Sequence, residues 1–166
     1  MKYAVTYSSK TGNTSMLAYA IQKMLPEGDC IYYGNPLPTA AIADRIYVGF
    51  WTNQGTCDEE TKEFLKTLKC KEVFLFGTAG FGGEQSYFDQ IINSVERFLD
   101  SSVKVIGSYM CQGKMPMSVR QRYEQMLESP NHMPNLEAMI ENFDQALKHP
   151  DMNDLTKLVN LIDTTI

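Results

Sequence analysis

The sequence has few of the residues that build metal sites and disulfides. Its 166 residues include four cysteines, two histidines and one tryptophan. The cysteines form no CxxC pair, and no histidine lies at metal-ligand spacing from them, which argues against a zinc site. Free thiols are typical of a reducing compartment, and the opening apolar segment predicts a strand rather than a signal peptide. A cytoplasmic location is therefore expected.

Long apolar runs and basic clusters are also absent from the sequence. No apolar stretch approaches the roughly 18 residues that suggest a membrane span, so no membrane association is expected. The net charge is −5, and no run of lysine or arginine suggests a basic stripe, which argues against a nucleic-acid partner. Neither a P-loop motif nor the glycine fingerprint of dinucleotide-binding folds is present. The remaining composition, 43% hydrophobic and 21% charged, predicts one globular domain over residues 1–166.

Short apolar runs rich in β-branched and aromatic residues alternate with amphipathic segments. Such runs are typical of strands that are covered on both faces. The alternation predicts an α/β fold with a parallel sheet and right-handed crossovers. Five strands suit a doubly wound, three-layer arrangement in order 2-1-3-4-5, with helices on both faces. The predicted strands are Tyr3–Tyr7, Cys30–Tyr33, Ile46–Trp51, Val73–Phe76 and Val103–Met110.

The segments between and after these strands repeat apolar residues at helical spacing. Helices are predicted after Asn13-Thr14, after a cap at Asp58, after Gly83-Glu84 and after Pro134-Asn135. The stretch 114–134 is interpreted as an extra segment with a further helix, which either shapes a pocket or partner surface or simply covers the domain. The tail 150–166 is predicted to add a helix, packed on this domain or on a second copy.

The first predicted strand runs into a turn crowded with hydroxyl groups, Ser8–Thr14. Exposed amides at a helix N-terminus suit an anion, and the hydroxyl groups and Gly12 would add donors and close backbone approach. The turn therefore indicates a phosphate cradle. The alternative is an ordinary capped turn, because Ser, Thr and Asn are common helix caps.

Two further loops follow strands three and four of the predicted sheet. Residues 50–56 hold the only tryptophan beside Asn53 and Gly55, and aromatic and polar groups together suit a flat heteroaromatic ligand. Residues 78–83 hold three glycines and Phe81, which suits close approach to such a ligand, although a flexible exposed loop is the alternative. Because ligands in these sheets bind at the carboxyl ends of the strands, the three loops are expected to form one site.

The motif Ser9-x-Thr11-Gly12-x-Thr14 resembles the phosphate-binding signature of flavodoxins, and residues 76–82 resemble their aromatic glycine loop. The resemblance covers about residues 2–111 and the last main helix. It implies the flavodoxin-like fold, FMN as the cofactor, and Phe81 stacked on the flavin ring. Trp51 either packs directly against the face of the flavin ring or lies near it without contact. The implied cofactor-binding residues are Ser9, Lys10, Thr11, Gly12, Asn13, Thr14, Trp51, Thr52, Asn53, Gln54, Gly55, Thr78, Ala79, Gly80, Phe81 and Gly82.

Such a chain is expected to carry electrons between a reductase and an acceptor protein, as a monomer or a homodimer, with no catalytic residue of its own. The alternative on the same fold is an NAD(P)H-dependent quinone or FMN reductase. No firm role is predicted for Cys57, Cys111, His132 or His149, for which packing or surface positions are the simpler interpretation.

Overall fold

The predicted strands form one sheet in a computed structural model that describes residues 1–166. Six strands are present: β1 (Tyr3–Tyr7), β2 (Cys30–Gly34), β3 (Arg45–Asn53), β4 (Thr56–Cys57), β5 (Glu72–Ala79) and β6 (Lys104–Gln112). Five of them pair in parallel in the order β2-β1-β3-β5-β6, while β4 pairs only with β3, antiparallel. The predicted five-strand order is confirmed, and β4 is an addition outside it.

Six α-helices connect and follow the strands. They are α1 (Asn13–Met24), α2 (Glu59–Thr67), α3 (Gln85–Glu96), α4 (Met117–Leu127), α5 (Leu136–Ala146) and α6 (Met152–Asp163). The predicted cap of α2 is present, since the Asp58 carboxylate accepts from the backbone N–H of Thr61 at 3.1 Å. None of the six helices has the length and apolarity needed to cross a membrane.

The two faces of the sheet carry separate hydrophobic cores because successive residues of a strand point to opposite sides. Val48 and Phe50 of β3 pack with Leu65 of α2 and the apolar side of α3. On the other face, Tyr47 packs with α1, and Leu158 brings α6 into the same core. Burial on both faces explains why the central strands contain few polar residues.

The last helices depart from the sequence interpretation. The tail helix α6 packs on this domain, because its Leu158 and Ile162 are fully buried in the core shared with α1. The added pair is α4 together with α5, and α5 is the helix predicted after Pro134-Asn135. These two helices pack on each other around a small core of Tyr123, Leu136 and Phe143. Because α5 and α6 are both amphipathic, their periodicity does not reveal which of them packs on the sheet.

Candidate functional site

A cleft of about 340 Å³ lies at the carboxyl ends of β1, β3, β5 and β6. This is the edge of the sheet where strand order reverses and where such folds bind ligands. Thirteen of the sixteen predicted site residues line the cleft, and Gly12, Asn53 and Gly82 do not. The lining residues are Ser9, Lys10, Thr11, Asn13, Thr14, Trp51, Thr52, Gln54, Gly55, Thr78, Ala79, Gly80, Phe81, Tyr87, Gly113, Lys114, Met115 and Pro116.

The turn between β1 and α1 presents a row of free backbone donors. The N–H groups of residues 9–14 have no acceptor within the chain, whereas the next N–H, of Ser15, donates to Ser9 Oγ at 3.3 Å. Gly12 precedes the helix with φ 88°, a conformation that glycine adopts without steric cost. No acidic residue lies in the first turn of α1. Free N–H groups at the positive end of a helix form a site for an anion.

Side chains of this turn tie it to the rest of the cleft. The Thr11 hydroxyl and the Asn13 amide donate to the carbonyl of Lys114, at 3.2 and 2.8 Å. A Cβ on Gly113 would lie 2.4 Å from Asn13 Nδ2, so the close approach of the two segments requires glycine there. The buried Asn13 Oδ1 has no donor partner within the chain. It is an acceptor whose hydrogen-bonding capacity a ligand hydroxyl would satisfy.

Thr14 is buried and its hydroxyl is already bonded to the protein. It donates to the carbonyl of Phe50 at 3.1 Å and accepts from the hydroxyl of Thr78 at 3.2 Å. Because a hydroxyl has one proton, Thr14 offers an anion its backbone N–H and not its side chain. The hydroxyl instead joins the start of α1 to the ends of β3 and β5.

The second predicted loop is mostly a β-hairpin. Trp51 and Thr52 still belong to β3, and Thr52 Oγ1 donates to the carbonyl of Thr78 at 2.8 Å. The turn consists of Gln54 and Gly55, both with positive φ, at 51° and 82°. Two such residues between antiparallel strands are typical of a type I′ turn. The prediction of a loop over 50–56 was wrong because the strand continues in register and then folds back.

The charge inside the cleft differs from the charge of the whole chain. The lining residues include Lys10 and Lys114 but no aspartate or glutamate, although the net charge is −5. The ammonium group of Lys10 lies 5.0 Å from the centroid of the Trp51 ring, within the range of a cation–π contact. The cleft therefore favours an anionic ligand.

The third loop approaches the cleft from the end of β5. Thr78 and Ala79 are the last residues of β5, and the loop proper begins at Gly80. The carbonyl of Gly80 accepts hydrogen bonds from Gln112 at 3.0 Å and from Asn142 at 3.1 Å. Phe81 is 43% exposed, a large apolar side chain at the mouth of the cleft. An exposed aromatic residue here has surface available for a flat ligand.

Five lining residues lie outside the predicted set: Tyr87, Gly113, Lys114, Met115 and Pro116. The last three open the extra segment 114–134, for which shaping a pocket was one of the two interpretations. Residues 113–116 follow β6, and the N–H of Gly113 donates to the carbonyl of Ala79 at 2.9 Å. The same rule that marked the ends of the other strands would have marked the end of β6.

The remaining candidate residues lie outside the cleft. Burial raises the pKa of the Cys57 thiol to about 11 and also raises the pKa of Cys111, so both thiols stay protonated and unreactive at neutral pH. His149 Nδ1 lies 2.6 Å from Asp154 Oδ2, beside the carboxylate of Asp151, at the start of α6. Asp151 and Asp154 form a capping box for that helix, which accounts for their positions.

Comparison with known proteins identifies the family. A family model described as a flavodoxin domain matches residues 4–163. The chain belongs to the flavodoxin domain family. This flavodoxin domain is 39% identical, over its whole length and 96% of the relative's, to the flavodoxin-like domain-containing protein BilS of Clostridium symbiosum (strain WAL-14163).

Two solved structures resemble this flavodoxin domain. Oxidised Flavodoxin 2 of Bacillus cereus matches with a TM-score of 0.53 and 17% identity, over 87% of this chain and 99% of that one. A flavoprotein in complex with FMN from Lactobacillus acidophilus NCFM matches with a TM-score of 0.50 and 16% identity, over 66% and 92%. At these identities the likeness shows the fold. The predicted flavodoxin-like family and fold are confirmed, and family membership supports FMN as the expected cofactor.

Proposed function

We propose that this flavodoxin domain binds one FMN in the cleft and carries electrons between two redox proteins. The observation that carries the proposal is the row of unpaired N–H groups over residues 9–14 at the mouth of α1. Such a row suits a phosphate, and no acidic residue lines the cleft to oppose it. An ordinary capped turn would have left fewer donors without partners.

The rest of the cleft fits the remaining parts of FMN. The unpartnered Asn13 Oδ1 suits a ribityl hydroxyl, and Trp51 and Phe81 supply aromatic surface for the isoalloxazine ring. Lys10 lies in the turn proposed to bind the phosphate, and its ammonium group lies over the Trp51 ring. Its positive charge is therefore close to both the phosphate and the isoalloxazine ring of the proposed ligand. When bound, FMN supplies the redox chemistry, and the chain binds it, orients it and adjusts its potential.

The absence of an acid–base cluster among the lining residues favours a carrier over a stand-alone enzyme. The cleft contains no histidine, cysteine, aspartate or glutamate. Its partners would be a reductase and an electron acceptor, with the chain acting as a monomer or homodimer. If the chain instead reduced quinones or FMN with a nicotinamide, the FMN-loaded protein alone would oxidise NADPH continuously. We expect no such turnover unless a reductase is added.

Titration of the apoprotein with FMN and with riboflavin tests the binding proposal. Flavin fluorescence should be quenched with one FMN bound per chain, and riboflavin, which lacks the phosphate, should bind at least tenfold more weakly. Equal affinity for the two ligands, or no quenching, would contradict the phosphate cradle.

Lys10→Gln and Lys23→Gln provide a matched pair for the same titration. Both lysines lie over an aromatic ring, Lys10 over Trp51 and Lys23 over Tyr19 at 5.3 Å, but only Lys10 lines the cleft. Lys10→Gln should weaken FMN binding several-fold, with the largest effect at low salt because screening is then weakest. Lys23→Gln removes the same charge elsewhere and should leave the affinity unchanged.

A further inference from the structure

The carbonyl of Gly80 is held by two side chains from different elements. Gln112 Nε2, at the end of β6, lies 3.0 Å from the Gly80 oxygen, and Asn142 Nδ2, on α5, lies 3.1 Å from it. Gln112 Nε2 also lies 3.1 Å from Asn142 Oδ1. The two amides therefore bind each other as well as the carbonyl, which fixes the orientation of all three groups.

This clamp also fixes the N–H of the next residue. A trans peptide is planar, so its carbonyl and its N–H point in opposite directions. With the Gly80 carbonyl turned toward Gln112 and Asn142, the N–H of Phe81 is turned away from them. That N–H has no acceptor within the chain, and both Gly80 and Phe81 line the cleft.

We propose that Asn142 and Gln112 are positioning residues that present the Phe81 N–H to the FMN ring and keep the Gly80 carbonyl away from it. This inference rests on the proposed function. It also gives the added α4–α5 pair a role, because Asn142 adjoins Phe143, which is fully buried in the core of that pair. The core holds α5 in place, and α5 holds the cofactor loop.

The clamp acts differently on the two redox states of the cofactor. Reduction by two electrons with uptake of one proton leaves one more negative charge on the flavin ring. A hydrogen bond to a charged acceptor is about twice as strong as one to a neutral acceptor. A fixed N–H therefore favours reduced FMN more than oxidised FMN, whereas a carbonyl turned into the cleft would disfavour the reduced ring.

The test compares Asn142→Ala, Gln112→Ala and the double variant with Asn160→Ala, which removes an exposed amide from α6, away from the cleft. The midpoint potential of the bound flavin is measured against reference dyes, and the Kd of oxidised FMN by fluorescence. The double variant should lose about tenfold more affinity for reduced than for oxidised FMN. That ratio equals a potential about 30 mV more negative for a two-electron couple.

Each single variant leaves one donor on the carbonyl and should show a smaller shift, while Asn160→Ala should match the parent. A merely structural role would weaken both redox states equally and leave the potential unchanged. An unchanged or more positive potential in the double variant would overturn the inference. If the parent protein bound no FMN, the proposed function itself would fail, which is a distinct result.

Discussion

At the residue scale, side chains of one type have different roles within a few positions of each other. Ser9 Oγ accepts the N–H of Ser15 and so caps α1 from a distance. The hydroxyl of Thr11 bonds the neighbouring segment at Lys114, while Thr14 is buried between two strand ends. Their common position in a phosphate signature does not distinguish these roles. Burial and the available acceptors do.

Thr14→Val tests the structural role of the buried hydroxyl. The change leaves the carbonyl of Phe50 without this donor, and the loss of a buried hydrogen bond costs about 1–3 kcal/mol. Urea unfolding of the apoprotein should show a loss of that size, while FMN affinity changes less than threefold because the backbone N–H is retained. A large loss of FMN affinity at unchanged stability would show that the hydroxyl itself binds the phosphate.

Three of the four thiols should differ in reactivity. With a pKa of about 11, Cys57 is only about one part in a thousand thiolate at pH 8, and Cys111 is likewise buried with a raised pKa. Cys70 is exposed. Iodoacetamide labelling followed by mass spectrometry should therefore modify Cys70 first and reach Cys57 and Cys111 only in denaturant. Rapid labelling of Cys111 in the folded protein would reopen its functional role.

At the element scale, the cleft lies at the ends of the strands, and the short segments that follow β3 and β6 shape its two sides. The β3–β4 hairpin places Gln54 and Gly55 at one side of the cleft. The segment after β6 places Met115 at the other, where a Cβ on Gly80 would lie 2.5 Å from its side chain. Close packing of Met115 on Gly80 means that a larger residue at position 80 would displace the wall of the cleft.

The contact between α4 and α5 should weaken in acid. Arg120 bonds both carboxylate oxygens of Asp144 and also pairs with Glu124, and the Arg120 hydrogen bond lowers the pKa of Asp144. A carboxyl with a lowered folded-state pKa stabilises the fold above its ordinary pKa of about 3.9. That contribution is lost as the pH falls through the lower folded-state pKa.

Asp144→Asn removes this pH-dependent contribution and keeps the shape of the side chain. Thermal unfolding measured by circular dichroism should show a smaller drop in Tm between pH 6 and pH 3 for the variant than for the parent. Because the pair is exposed, the difference should be small and should shrink further in 0.5 M salt. An equal drop in Tm for both proteins would show that the ion pair does not contribute to the pH dependence of stability.

At the scale of the whole molecule, one sheet separates two cores and the α4–α5 pair adds a third. Lys114 links distant parts of the chain, since its carbonyl accepts hydrogen bonds from Thr11 and Asn13 and its N–H donates to the carbonyl of His149, just before α6. The cleft is lined by the ends of the strands, the loops that follow them and the start of α1, and residues 113–116 of its lining lead directly into α4. Disruption of the main core and disruption of the α4–α5 core should therefore differ in their effects on global stability and on FMN binding.

Leu158→Ala and Phe143→Ala should separate the two parts. Leu158 is fully buried in the main core, so its truncation should lower the global free energy of unfolding by about 2–5 kcal/mol. Phe143 is buried in the small core, so its truncation should open α4 and α5 locally. Hydrogen exchange should rise across residues 117–146 while the strands stay protected.

FMN affinity is the second measurement for the Leu158→Ala and Phe143→Ala variants. Phe143→Ala should weaken FMN binding more than Leu158→Ala does at a temperature where both variants remain folded. A uniform rise of exchange over the whole chain in Phe143→Ala would contradict the separation, because the small core would then be part of one cooperative unit.

The strands, the hydroxyl-rich turn at residues 9–14 and thirteen of the cleft residues were predictable from residue types, because strand periodicity is local and parallel sheets follow general rules of connection and ligand position. Tertiary structure decided which of two similar amphipathic helices, α5 or α6, closes the main core. The packing of the layers also brings Gln112 and Asn142 to the carbonyl of Gly80, from which they are 32 and 62 residues away along the chain. Contacts between residues so distant in sequence depend on how the layers pack, and helical periodicity carries no record of the packing partner.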